Sequence, residues 1–218
     1  MAAPQNHDVS KEKVLGVTRP GIKPDEVLDF YKKWSKEYDK DLDGEEYGGP
    51  RKVAQTLAAL LGNRRDARVL DVAAGTGLCG QELSSLGFSN LDALDASQDM
   101  LDVAKTKNVY KNFLKEFLGP NRLNIEDDTY DGITACGLFC DGHVGPDCLD
   151  QLIRVVKPGG FICIGLRETL LHTSENCKTL EPRMEALQSD GLWQRVSREV
   201  FPGYCVGFDG VVYVHKVL

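Results

Sequence analysis

A chain of 218 residues with 42% hydrophobic content is long enough for one substantial core and short for two independent ones. Its formal charge of -7, from 26 basic against 33 acidic residues, gives no electrostatic pull towards phosphate backbones or anionic membranes, so nucleic acid and membrane partners are disfavoured. No uncharged apolar run approaches the roughly 20 residues that cross a bilayer, and the seven scattered cysteines suit thiols in a reducing compartment; a cytoplasmic monomer is expected.

Met1 to Pro24 is polar and broken by Pro4, Gly16, Pro20, Gly21 and Pro24, and reads as a mobile lead-in with little apolar surface to bury. From Asp25 the pattern changes. Val27, Phe30, Tyr31, Trp34 and Tyr38 recur at three- and four-residue spacing, which puts them on one face of a helix. A second helix runs through Val53, Leu57, Leu60 and Leu61 to Gly62, and the two form a helical cap over about 25–62. Strand-like runs then appear at Arg68 to Val72, Asn90 to Leu94, Asp131 to Ala135, Gly160 to Gly165 and Gly210 to Val217. Helical stretches lie between the first four, at Gln81 to Leu86, Gln98 to Lys105 and Asp147 to Val156. Short apolar strands alternating with amphipathic helices argue for a parallel sheet covered on both faces, an α/β fold. One more helix is expected through Leu180, Met184 and Leu187, followed by strands at Trp193 to Phe201 and Gly210 to Val217 joined by PGYCVGFDG.

The stretch VLDVAAGTG, Val69 to Gly77, carries the chemistry. At the carboxyl end of the first strand of a doubly wound sheet a ligand lies across helix amides, and Gly75 and Gly77 let the backbone approach it. Asp95 ends the next strand, where a carboxylate accepts from both ribose hydroxyls. Two cofactor types compete for this adenosine pocket. Gly75, Gly77 and Gly80 spell GTGLCG, a literal dinucleotide fingerprint that would make the protein an oxidoreductase, but such a triplet arises easily by chance. Asp71 separates the two, because a carboxylate beside the loop would repel a pyrophosphate and would suit a ligand that presents a cation. The plainer reading is that Asp71 caps backbone amides at a strand end.

VLDVAAGTG, ALDASQDML with Asp95, TYDGITACG and VVKPGGFICI resemble, in order and spacing, the successive motifs of the class I S-adenosylmethionine-dependent methyltransferases. The resemblance covers 25–218, taken as one domain, and DFYKKWSKEYDKDL, YGGP and CDGHVGPDCL look most like the methyltransferase-like proteins of the Williams-Beuren syndrome chromosome region. It implies a Rossmann-like doubly wound sheet of seven strands, mostly parallel with a C-terminal antiparallel hairpin, and S-adenosyl-L-methionine as cofactor. By resemblance Asp71 meets the methionine ammonium, the loop Ala73, Ala74, Gly75 and Gly77 passes under the cofactor, and Asp95 holds the ribose. Ala96 and Met100 flank the adenine, Glu116, Phe117, Leu118 or the backbone touches it after the third strand, and Tyr38 and Cys136 complete the set. Ala73 stands where the family usually has glycine; in a turn that tolerates negative φ the extra methyl is harmless.

Two patterns mislead. DKDLDGEEYGGP begins like a calcium loop at Asp39, Asp41, Asp43 and Gly44, but its twelfth position is Pro50 instead of a bidentate Glu. Cys136, Cys140, His143 and Cys148 fit no common zinc spacing, so no metal is expected. Methyl transfer from a sulfonium is an in-line displacement, which asks for alignment and, for a protonated acceptor, a base. His143 and Asp141, after the fourth strand, are the catalytic candidates, weighed against a merely structural loop. No Asn or Asp followed by two prolines and an aromatic stands there to hold a flipped adenine, which leaves a small-molecule acceptor as first choice and a protein side chain as second. A scaffold or regulator that binds the cofactor without turnover remains the alternative of a different class.

Overall fold

The run RVLDV builds the centre of the sheet: β1 (Val69–Val72) is buried at every residue, so it can only be flanked by strands and covered on both faces. The computed structural model describes residues 6–42 and 47–218. Around β1 lie β2 (Leu91–Asp95), β3 (Asn112–Lys115), β4 (Tyr130–Cys136), β5 (Val156–Arg167), β6 (Trp193–Cys205) and β7 (Phe208–Val217), in the order β3-β2-β1-β4-β5-β7-β6. The first five strands are parallel, and β7 inserts antiparallel between β5 and β6. This is the doubly wound, Rossmann-like arrangement expected from the sequence, with the chain reversing direction across the sheet between β1 and β4.

Helices cover both faces. On one side α4 (Gly49–Leu61), α5 (Leu78–Ser85) and α6 (Gln98–Thr106) bury Val53, Leu57, Leu83 and Leu101. On the other α7 (Leu149–Val155) and α10 (Leu180–Ser189) bury Leu152, Leu180, Met184 and Leu187. The close approach of α4 depends on two glycines beneath it. A Cβ at Gly132 would meet Leu57 Cδ1 at 2.8 Å, and one at Gly165 would meet Val53 Cγ2 at 2.4 Å.

Several elements differ from the sequence reading. The segment expected to be a lead-in forms α1 (Asn6–Val17), and Val17 and Ile22 are buried under the strand ends. Its few apolar groups suffice because α1 is tied down by polar contacts: the Ser10 hydroxyl donates to the Asp41 carbonyl, and Lys13 lies 2.5 Å from the Asp41 carboxylate. The aromatic helix breaks after α2 (Pro24–Trp34), and Tyr38 opens a separate turn, α3 (Tyr38–Asp41). β3 escaped the strand pattern because it is a four-residue edge with no fully buried position. β6 continues through the glycine-containing PGYC, so the hairpin closes at Val206 and Gly207, with φ of 40° and 84°. Both residues sit in the left-handed region that a two-residue turn demands. Of the false calcium loop, Asp43 and Gly44 lie outside the described residues, while Asp39 and Asp41 hold protein side chains.

Candidate active site

The strand ends converge on a loop whose backbone is left-handed at three points, Ala73 (φ 53°), Gly75 (φ 55°) and Gly77 (φ 91°). The expectation that Ala73 occupies a negative φ is therefore corrected. The loop turns back on itself at the first residue after β1, and that turn selects the conformation whether or not a Cβ is present. The loop is fixed from β2: Gly75 N–H donates to Asp95 Oδ2 at 2.8 Å, and Ser97 N–H donates to Asp95 Oδ1 at 2.8 Å. Burial pushes the Asp95 carboxyl up, against the lowering effect of these amides and that of Ala96. A carboxylate has lone pairs for about four donors, so Asp95 can also accept from a diol in the cavity it lines.

Asp71 is almost fully buried and is held by the fold as well as by any ligand. Tyr110 O–H donates to Oδ2 at 2.5 Å and Thr134 O–H to Oδ1 at 2.8 Å. Burial outweighs these bonds and that from the Gly80 amide, and lifts the carboxyl to about 6. No cationic side chain among the described residues forms an ion pair with it. The third glycine of GTGLCG also finds its reason here. A Cβ at Gly80 would lie 2.2 Å from the Tyr110 ring, so this glycine makes room for the tyrosine that holds Asp71.

The cavity in front of the loop measures about 120 Å³, with a smaller void of about 30 Å³ beneath it that reaches Asp71, Ala74 and Cys79. Tyr38, Tyr47, Ala73, Gly75 and Cys136 line both. Tyr38 packs on Trp34 with ring centroids 4.7 Å apart, and the Cys136 thiol sits 3.6 Å from the Tyr47 hydroxyl and 3.7 Å from that of Tyr204. The cap is latched to the loop. Thr76 O–H donates to Asp39 at 2.5 Å, and Lys107 pairs with the other oxygen of Asp39. The larger cavity is below the roughly 300–1,000 Å³ typical of small-molecule sites.

The catalytic candidates separate. His143 lines the cavity, with Tyr31 Oη 3.0 Å from its Nε2 and the Asp141 carbonyl 3.0 Å from its Nδ1. A carbonyl only accepts, so Nδ1 carries the proton and Nε2 accepts from the Tyr31 hydroxyl. Burial lowers the His143 pKa from its ordinary value, and the ring is a neutral acceptor at pH 7. Asp141 does not share the site through its side chain. Its carboxylate receives the Ser174 hydroxyl at 2.7 Å and the Asn176 amide at 3.3 Å, at the start of α9 (Glu175–Lys178).

Met100 reaches the cavity beside Gly75, and Ala96 sits next to Asp95 without lining it. Gly77 caps α5 behind the loop. Phe117 is 55% exposed and Leu118, partly buried, packs on the core cluster that also holds Leu94, Phe139 and Ala73; neither lines the cavity itself. Sequence reasoning missed Tyr110 and Thr134, which carry no motif of their own, and also Tyr31, Tyr47, Tyr204 and Arg167. For Tyr31 a signal existed in its place on the aromatic face of the first helix.

A family profile described as a methyltransferase domain matches residues 69–160. Methyltransferase-like protein 27 of Homo sapiens is 34% identical over 168 residues, 77% of this chain and 68% of that protein. The chain belongs to the class I S-adenosylmethionine-dependent methyltransferases. A demethylmenaquinone methyltransferase of Renibacterium salmoninarum is 29% identical to this methyltransferase over 65% of the chain and 59% of its own length. Among solved structures, the 1,6-didemethyltoxoflavin-N1-methyltransferase of Burkholderia thailandensis, bound to its substrate and S-adenosylhomocysteine, superposes with a TM-score of 0.62 at 19% identity, over 100% of this chain and 93% of that one. The [4+2]-cyclase SpnF superposes with 0.67 at 12% identity, over 91% and 98%. At such identities the likeness speaks for the fold alone. The donor set of the methyltransferase fits its cofactor: Asp95 offers acceptors for a ribose diol, and Asp71 is a buried carboxylate without a cation.

Proposed function

We propose that this methyltransferase acts on a small-molecule acceptor, and that residues 25–218 form one domain, whose cap of α2 to α4 is extended by α1. The observation that carries this is a small, mainly apolar cavity that runs from Asp95 to His143 past Tyr31 and Tyr38. A compact cavity with a few polar groups at its ends suits a small molecule. The relative named for demethylmenaquinone methylation supports the same class of acceptor.

In this reading Asp95 receives the ribose hydroxyls, the 73–77 loop lies along the cofactor, and Met100 with Ala96 borders the adenine. Asp71 faces the ammonium across the small void, and Tyr38 and Cys136 flank the methionine portion. The bound cofactor supplies an electrophilic methyl group on a sulfonium. His143 Nε2 takes the acceptor proton through the Tyr31 hydroxyl, which accepts from the acceptor as it donates to the imidazole. Asp141 orients the ring through its backbone carbonyl. The finer kinship with the methyltransferase-like proteins of the Williams-Beuren region rests on the cap helix and on CDGHVGPDCL, the segment that supplies His143. We take the protein to be cytoplasmic: all seven cysteines are free thiols, and no helix among the described residues is long and apolar enough to cross a membrane.

The test is incubation with methyl-labelled S-adenosylmethionine and, in separate arms, a small-molecule extract and a protein fraction. Label entering the small molecules supports the proposal. Label entering protein replaces it with side-chain methylation, and no transfer by a protein that binds the cofactor replaces it with a scaffold.

A further inference from the structure

Arg167, the last residue of β5, is 92% buried by its 8% exposure, yet its guanidinium is almost without partners. Nη2 donates a long 3.3 Å bond to the Thr18 hydroxyl, while Nε and Nη1 have no hydrogen-bond partner at all. The plane of the group lies 4.6 Å from the centroid of the Phe208 ring, and Lys11 stands 5.6 Å from the same ring, so the surroundings are apolar and positive. No carboxylate among the described residues forms an ion pair with Arg167. Asp141, which with Arg167 influences the Cys140 and Cys177 thiols, spends its Oδ1 on Ser174 and Asn176.

An arginine cannot shed its proton to escape burial, and a buried charge left unpaired is the costly half of an ion pair. Such a group is kept where its counter-ion arrives with a ligand. Arg167 lines the same cavity as His143 and Tyr31, together with Cys140 and Leu170. Its place is set by the sheet order. Asp95 ends β2, the loop follows β1, Cys136 ends β4, and Arg167 ends β5. Three strand spacings, roughly 14 Å, separate Asp95 from Arg167, which puts the guanidinium at the acceptor's end of the chamber.

Resting on the small-molecule reading above, we infer that the methyl acceptor is a carboxylic acid with a compact apolar body, whose carboxylate pairs with Arg167. The carboxylate supplies the missing acceptors for Nε and Nη1. The apolar body lies against Leu166, Leu170 and Phe139, and the nucleophilic atom is turned towards Tyr31 and His143. Methylation leaves the carboxylate free, since that group is held away from the base.

The experiment is calorimetry on the full chain saturated with S-adenosylhomocysteine, titrated with benzoate and hexanoate and with the neutral amides of each. Wild type binds at least one acid tenfold or more tightly than its amide. Arg167→Met abolishes that preference, and Arg167→Lys retains part of it. Both variants keep S-adenosylhomocysteine affinity within threefold, and the melting temperature of Arg167→Met is unchanged or higher, as expected when a lone buried charge is removed. Equal binding of acids and amides, no binding of either, or full acid binding by Arg167→Met overturns the inference. A parallel loss of S-adenosylhomocysteine affinity in Arg167→Met would also overturn it, by assigning the guanidinium to the cofactor's own carboxylate. Failure of the wild type to bind S-adenosylhomocysteine strikes instead at the site reading beneath it, and the inference falls with that reading.

Discussion

Tyr31 and His143, 112 positions apart in the chain, meet in one hydrogen bond of 3.0 Å, Oη to Nε2, that joins the cap helix to the loop after β4. The bond has a fixed direction, because Nδ1 must donate to the Asp141 carbonyl. The proposed proton relay therefore depends on the cap helix lying against the loop after β4.

Burial lowers the His143 pKa, so its neutral form persists below the range of an ordinary histidine. We expect a proton NMR titration to place His143 below 6.5. Tyr31→Phe, which removes a donor to the neutral ring, should move that value upward. In the transfer assay, Tyr31→Phe and His143→Ala should lower kcat by about 10²-fold or more for a protonated acceptor. Unchanged turnover in both would show that no base is used.

If Asp71 meets the cofactor ammonium as proposed, it makes cofactor binding depend on pH. Its carboxyl is raised from 3.8 to about 6 by burial, so the folded protein holds an extra proton between those values. Stability linked to this group is fully present below pH 3.8 and is lost as pH rises through 6. A ligand ammonium favours the ionised form, so binding releases that proton. Affinity for S-adenosylhomocysteine should rise about tenfold from pH 5 to pH 7, and the profile should flatten in Asp71→Asn. Calorimetry in two buffers of different ionisation enthalpy checks both, and a flat wild-type profile would contradict the assignment.

Ala73 carries the strain of a positive φ that its neighbour Gly75 avoids. Ala73→Gly should stabilise the folded state by about 1 kcal/mol, a rise of roughly 2–4 °C in Tm. An unchanged or lower Tm would mean that the methyl's packing offsets its conformational cost.

Asp39 is the latch between cap and loop, through Thr76 and Lys107. Asp39→Ala should speed hydrogen exchange across α2 and α3 and raise the association rate of S-adenosylhomocysteine, with little change in the exchange of β1 and β4. Equal exchange in the two proteins would remove the latch.

What could be read in the sequence follows from how local each signal is. Runs such as RVLDV and GFICIG announce strands because burial on both faces makes them nearly continuous apolar runs, in which Asp71 is the exception inside β1. Asp95 could be placed because a strand end and a glycine loop fix its distance from the ligand. Tyr110 could not, since its bond to Asp71 exists only in the folded sheet, and neither could Arg167, whose burial without partners is a property of the folded chain. Asp141 misled because it neighbours the site in sequence while its side chain turns towards Ser174. The residues after β3 could not be assigned one by one, because a short edge strand does not say which way the chain leaves it.

Whether the loop after β1 and the Asp95 carboxylate hold S-adenosylmethionine is read directly by calorimetric titration of wild type and Asp95→Ala with S-adenosylmethionine, S-adenosylhomocysteine and NAD. We expect saturable binding of the first two by wild type, no binding of NAD, and at least a tenfold loss, about 1.4 kcal/mol, in Asp95→Ala with its fold intact. Equal affinity in the two proteins, or binding of NAD in place of S-adenosylmethionine, would contradict this reading.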